Sequence, residues 1–141
     1  MFYKLEPEVS GEMGGNTELD VSTHPPIVSK LHYHLDFWLG DDLLETFPCF
    51  LVTDRLRAVI EEMNATGGAF DDVEVSFGED FEERYPGGPL PRLSWLKPIG
   101  VPCRDDLGLV HPASLVVSER LWDAMRARAN LSHCEAEPYT G

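Results

Sequence analysis

Positive charge is what this sequence has least of. Eleven Lys and Arg stand against 25 Asp and Glu among 141 residues, a formal net charge of −14 at pH 7. A field of that sign repels phosphate backbones and anionic lipid headgroups, which argues against nucleic acid and membrane surfaces as partners. Cysteine is scarce too. Cys49, Cys103 and Cys134 are odd in number and widely spaced. They make no C-x-x-C pair, zinc ribbon or disulfide framework, so a reducing cytoplasm is the expected compartment. No apolar run approaches the roughly 18 residues of a membrane span. Lys4 has no apolar stretch behind it, and residues 8–26 are polar, acidic and Gly-rich, so a signal peptide is not expected. The pairs Gly67-Gly68 and Gly87-Gly88 lack the spacing of a phosphate-cradling loop. The acid-rich segments lack the ligand spacing of a calcium loop. Nothing in these patterns asks for a cofactor.

What is present suffices for one globular domain over residues 1–141. Hydrophobic residues make up 43% and aromatics 10%, and a chain of this length buries roughly 70% of its unfolded surface without disulfides or metal. Phe2–Leu5 reads as a short strand and residues 8–26 as a loop or mobile arm. From Leu31 to Leu39 the pattern alternates, with Leu31, Tyr33, Leu35 and Phe37 on one face and His32, His34, Asp36 and Trp38 on the other. Leu43–Thr53 is a second apolar stretch, interrupted by Pro48. Thr53 caps a helix whose apolar positions are Leu56, Val59, Ile60 and Met63. Val73, Val75 and Phe77 alternate with acids as in a half-exposed strand, and Phe81–Tyr85 fits one helical turn. Leu93–Ile99 reads as a strand with Trp95 and Lys97 opposite Leu96. Ser118 caps a second helix through Leu121, Trp122, Met125 and Ala129, and a closing strand is expected in the tail from Leu131. The expected fold is therefore α+β, a mostly antiparallel sheet of about five or six strands with two main helices. The two helix starts resemble each other: Leu51-Val-Thr-Asp-Arg-Leu56 matches Val116-Val-Ser-Glu-Arg-Leu121. Two readings are open, an internal duplication or the common look of any well-capped strand-to-helix junction.

Three constellations bear on chemistry. On a strand, His32, His34 and Asp36 share a face at about 6.5–7 Å spacing, and imidazoles with a carboxylate suit zinc, iron or manganese. The simpler account is the polar face of a sheet strand. Nucleophilic pairs are poor: His133 and Cys134 are neighbours that point apart on a strand, and Cys103 with His111 needs a loop to join them. The third is the run Asp71, Asp72, Glu74, Glu79, Asp80, Glu82 and Glu83, without a Lys or Arg from Asp71 to Glu83. It reads either as a solvated rim or as a docking surface for a basic protein, with Trp95, Phe77, Phe81 and Tyr85 as apolar anchors.

In chain order, Pro26-Ile27-Val28, the Asp36-x-Trp38 strand, the Leu51–Leu56 block, the acidic strand reached through Thr66-Gly67-Gly68-Ala69-Phe70, and Leu115–Leu121 resemble small bacterial immunity proteins of polymorphic-toxin systems, a group first catalogued as a domain of unknown function. The resemblance spans about residues 26–130. The tail departs from it: Leu131-Ser-His-Cys134 stands where the family usually ends in a helix followed by Gly and Phe. The resemblance implies a cytoplasmic inhibitor and no enzyme, a protein that binds a cognate toxin and covers its basic active-site cleft. The alternatives are a small metal-dependent hydrolase using His32, His34 and Asp36, and a structural or adaptor domain.

Overall fold

The computed structural model describes residues 1–84 and 92–141, with Glu82 and Arg84 described by backbone alone. The expected α+β class holds, but the strands do not form one sheet. Thirteen described strands make sheets of four, four, three and two, and only one of the pairings, between the fifth and ninth strands, is parallel. The sequence pattern under-counts because apolar runs hide turns: residues 43–53 fold as a hairpin around Phe47-Pro48, giving β6 (Leu43–Thr46) and β7 (Cys49–Thr53). Proline there ends the ladder because it has no N–H to donate.

Two units repeat. In the first, β1 (Phe2–Glu6) is followed, after intervening residues, by the β6–β7 hairpin, α1 (Asp54–Glu62) and β8 (Gly68–Asp71). In the second, β10 (Leu93–Pro98) is followed by the hairpin β11 (Leu107–Val110) and β12 (Ser114–Ser118), then α3 (Glu119–Arg128) and β13 (Glu135–Tyr139). The units exchange their first strands. One sheet runs β11-β12-β1-β13 and the other β6-β7-β10-β8, so each is completed by the opening strand of the other unit. The registers correspond, with Phe2 opposite Ser118 and Leu93 opposite Thr53.

The likeness extends to single hydrogen bonds. Thr53 and Ser118 cap α1 and α3 by accepting from the N–H of Leu56 and Leu121, as the sequence predicts. Each cap hydroxyl donates to an aspartate just before its own hairpin, Thr53 to Asp42 at 2.8 Å and Ser118 to Asp106 at 2.6 Å. The second oxygen of each aspartate accepts an N–H from beyond the other unit's helix, Asn130 at 2.7 Å on Asp42 and Thr66 at 2.9 Å on Asp106. Even the first helical N–H groups agree. That of Asp54 reaches the Arg92 carbonyl and that of Glu119 the Met1 carbonyl, each one residue before the exchanged strand. Of the two readings of the helix starts, duplication of the architecture is the one the structure bears out.

The main core lies between these units. It pairs equivalent positions: Leu5 with Leu96, Leu43 with Leu107, Phe50 with Leu115, Val52 with Val117, Leu56 with Leu121 and Ile60 with Met125, all buried. The helices pack together, with Arg128 bridging to Glu62. A second core (Leu31, Tyr33, Leu35, Leu44, Cys49, Leu51, Phe81 and Trp95) fills the other side of the β6-β7-β10-β8 sheet. Every residue of β7 is therefore buried, which explains its unbroken apolar run.

The third sheet covers that second core. It runs β2 (Gly11–Met13), β5 (His32–Leu35) and β9 (Glu74–Phe77). The fourth is the hairpin β3 (Glu18–Asp20) and β4 (Ile27–Lys30). The stretch of residues 8–26, expected as a loop or mobile arm, carries β2 and β3 and is otherwise turns and irregular chain. Glycine makes this possible: a Cβ on Gly11 would lie 2.1 Å from the His34 carbonyl oxygen, and one on Gly14 2.2 Å from the His32 ring. The last helix, α2, is one turn at Phe81–Arg84; Tyr85, the end of the predicted turn, lies outside the described residues. The closing strand starts at Glu135, later than expected, because Asn130–His133 are held by the loop before β6. Among the described residues no helix is long and apolar enough to cross a membrane.

Candidate functional site

The acidic stretch runs between two open sheet edges. β8 is an outer strand of its four-stranded sheet and β9 an outer strand of the three-stranded one. Asp71, Asp72, Glu74, Glu79, Asp80 and Glu83 are all exposed, while the Glu82 side chain lies outside the described residues. Two of these acids are engaged. Lys97 Nζ donates to Asp71 at 2.8 Å, a bond that holds the Asp71 carboxyl below its ordinary range. Glu74 accepts from Asn16 Nδ2 at 2.9 Å and lies 3.8 Å from Lys30 Nζ. Asp72, Glu79, Asp80 and Glu83 have no cation within ion-pair distance among the described residues.

Glu79 and Asp80 join Asp36, Phe37 and Gly78 around a cleft of about 270 Å³. Asp36 belongs to this rim as well as to the histidine face. It reaches the rim because β9 pairs with β5 and ends at Gly78, where a Cβ would lie 3.1 Å from Asp36 Oδ1. The alternation in sequence marks the side of β5 that Asp36 follows, but not the strand that meets it. Of the expected apolar anchors, Phe77 is 39% exposed and its ring lies 4.9 Å from buried Phe81. Trp95 is a correction: it is 5% exposed, a member of the second core with Lys97 Nζ 4.2 Å from its ring centroid. It does face away from Leu96, but both faces of β10 are covered, so it offers a partner almost no surface.

His32 and His34 do share a face, and a serine across the parallel pairing ties them together. Ser76 Oγ lies 2.7 Å from His32 Nε2 and 2.8 Å from His34 Nδ1. The direction of these bonds follows from Asn16, whose N–H donates to His32 Nδ1 at 3.1 Å. Neutral His32 therefore carries its proton on Nε2 and donates to Ser76. Ser76 then donates its only hydrogen to His34 Nδ1, and His34 Nε2–H is left facing Asp36 Oδ1 at 3.7 Å. With both His32 nitrogens in use, the ladder holds β2, β5 and β9 together instead of converging on a point. Among the described residues no group of three or more His, Cys, Asp or Glu is arranged to hold a metal ion.

Two of the three thiols, Cys49 and Cys134, are placed as poor nucleophiles. Burial pushes Cys49 up to about 12, and burial followed by the nearby Asp41, Glu45, Glu135 and Glu6 pushes Cys134 to about 12 as well. Comparison with known protein families, characterised proteins and solved structures finds no match to this chain.

Proposed function

We propose that this chain is an immunity protein: a binding inhibitor that acts in the cytoplasm on a basic toxin domain, seated against the rim of Asp36, Asp72, Glu79, Asp80 and Glu83 with Phe77 as its apolar contact. The observation that carries this reading is that exposed Asp72, Glu79, Asp80 and Glu83 have no cation within ion-pair distance among the described residues, in a stretch of chain that also exposes part of Phe77. The net charge of −14 acts in the same direction, drawing a basic cleft toward the molecule and raising the encounter rate. No catalytic step is required of any residue.

Co-expression in bacteria with the product of the adjacent reading frame tests the proposal. Growth should be lost with the neighbour alone and restored by this chain. A variant carrying Asp72→Lys, Glu79→Lys, Asp80→Lys and Glu83→Lys should fold, lose rescue, and bind the purified toxin with a slower, less salt-sensitive association rate. Rescue by that variant at unchanged affinity would remove the rim from the interface. A neighbour that kills regardless would remove the immunity reading itself.

A further inference from the structure

One carboxylate is buried among polar groups. Glu8 is 6% exposed and neither of its oxygens completes a hydrogen bond, and the adjacent Ser10 and Tyr33 hydroxyls are buried and unsatisfied too. Backbone pairing draws it in: the Glu8 carbonyl accepts from the Glu45 N–H at 2.9 Å, and Glu8 bridges to Leu44. An ionised carboxylate in such a place is costly, which favours the protonated form. Beside it stands a second buried carboxylate, Asp41, whose oxygens are both committed to His133. Nδ1 lies 2.8 Å from Oδ1, and the His133 N–H donates to Oδ2 at 2.9 Å. Next in the chain, Asn130 donates its N–H to Asp42 and its side-chain amide to the Gly40 carbonyl at 3.0 Å. These bonds clasp residues 130–133 to residues 40–42, directly before β13 enters its sheet.

We propose that Glu8 and His133 together form a proton-binding clasp, shut when both carry a proton and loosened when they lose it, releasing the segment that leads into β13. It stands apart from the toxin-binding reading and involves none of the rim acids. Glu8 is faced by Ser10, the Leu39 amide, Tyr33, Asp41 and His133, and His133 by Asp41 and Glu8. Glu6, Glu45 and Glu135 surround Cys134 next door. His133 is the only cation among these groups, so an ionised Glu8 faces carboxylates alone once His133 is neutral. Burial raises Glu8 above its ordinary 4.5, and the hydrogen bond to Asp41 raises His133 above its ordinary 6.5. Both folded-state values are raised, so each contribution is complete below the unfolded value and is lost as pH climbs. The Glu8 part declines above 4.5 and the His133 part above 6.5.

Amide hydrogen exchange at His133 and Asn130, read by NMR on the full chain from about pH 5.5 to 8.5 and corrected for intrinsic rates, tests the clasp. Protection at His133 should fall severalfold across that range as the imidazole loses its proton. Glu8→Gln keeps the shape but cannot ionise, and should retain more protection than the wild type at the alkaline end. Protection that ignores pH, or a Glu8→Gln profile parallel to the wild type, would overturn the proposal. Should that variant not fold, the ¹³C shift of the Glu8 carboxyl in the wild type decides: a midpoint above 4.5 supports the clasp and one at or below it refutes it.

Discussion

The first unit joins β1 to β6 through residues 7–42, whereas the second joins β10 to β11 through residues 99–106 alone. Residues 72–92 form a further insertion between β8 and β10. Those two long connections hold β2 to β5, β9 and α2, and with them the second core's cover, the acidic rim, the histidine ladder and Glu8. The repeated frame is mostly Leu, Val and capped helix starts, and its polar groups bond to one another. The inserted part holds the exposed acids that have no cation within ion-pair distance among the described residues, and the buried Glu8. Stability and exposed chemistry are thus assigned to different stretches of chain. The two junctions also differ in one respect. Arg120 donates to both oxygens of Asp106, at 3.0 and 2.7 Å, while Arg55, at the matching place, makes no such pair with Asp42.

The largest effect is expected where that difference lies. Asp106→Ala leaves a guanidinium, the Ser118 hydroxyl and the Thr66 N–H without their acceptor, and should cost about 3 kcal/mol. Asp42→Ala strands no guanidinium and should cost about 2 kcal/mol. Urea unfolding of both variants measures the gap, and equal losses would mean that Arg120 adds nothing to the second junction. A second test isolates its electrostatic part. Burial pushes the Asp106 carboxyl up, but the bonds from Arg120, Ser118 and the Thr66 N–H outweigh burial and hold it at about 2. Its folded value is depressed, so its stabilisation is complete above the unfolded value of 3.8 and is lost as pH falls from there toward 2. That amounts to about 2 kcal/mol, and Asp106→Asn should lack this acid-dependent loss in a comparison of unfolding curves. The smallest effect tests the symmetry itself. Thr53→Ala and Ser118→Ala should each cost about 1 kcal/mol, and thermal melts differing by much more than that would break the equivalence of the two caps.

Much of the frame is legible in sequence because its signals are local. A hydroxyl, an acid and an apolar stripe fix the starts of α1 and α3 within a few residues, and the six-residue match at 51–56 and 116–121 marks the repeat. The strand exchange is not legible: nothing near Phe2 records that its partner is Ser118. The same holds for the site. Alternation places His32, His34 and Asp36 on one face, but Ser76, which makes them a ladder, arrives from more than 40 residues away. Trp95 reads as surface because its strand alternates, and only the packing of a third sheet shows both faces covered. Glu8 reads as one more acid in a Gly-rich stretch; its burial follows from a bridge to Leu44 that no pattern encodes.

The exchanged strands set the order in which the molecule can be assembled. During synthesis Phe2–Glu6 is made well before its neighbours, Ser114–Ser118 and Glu135–Tyr139. The β6-β7-β10-β8 sheet has all its strands once Pro98 is made, whereas the sheet that holds β1 needs strands from beyond it, and contacts this distant in sequence slow folding. Phe2–Glu6 is without its strand partners until Ser114–Ser118 has been made. Deleting Phe2–Glu6 or Glu135–Tyr139 would therefore take a strand from the same sheet.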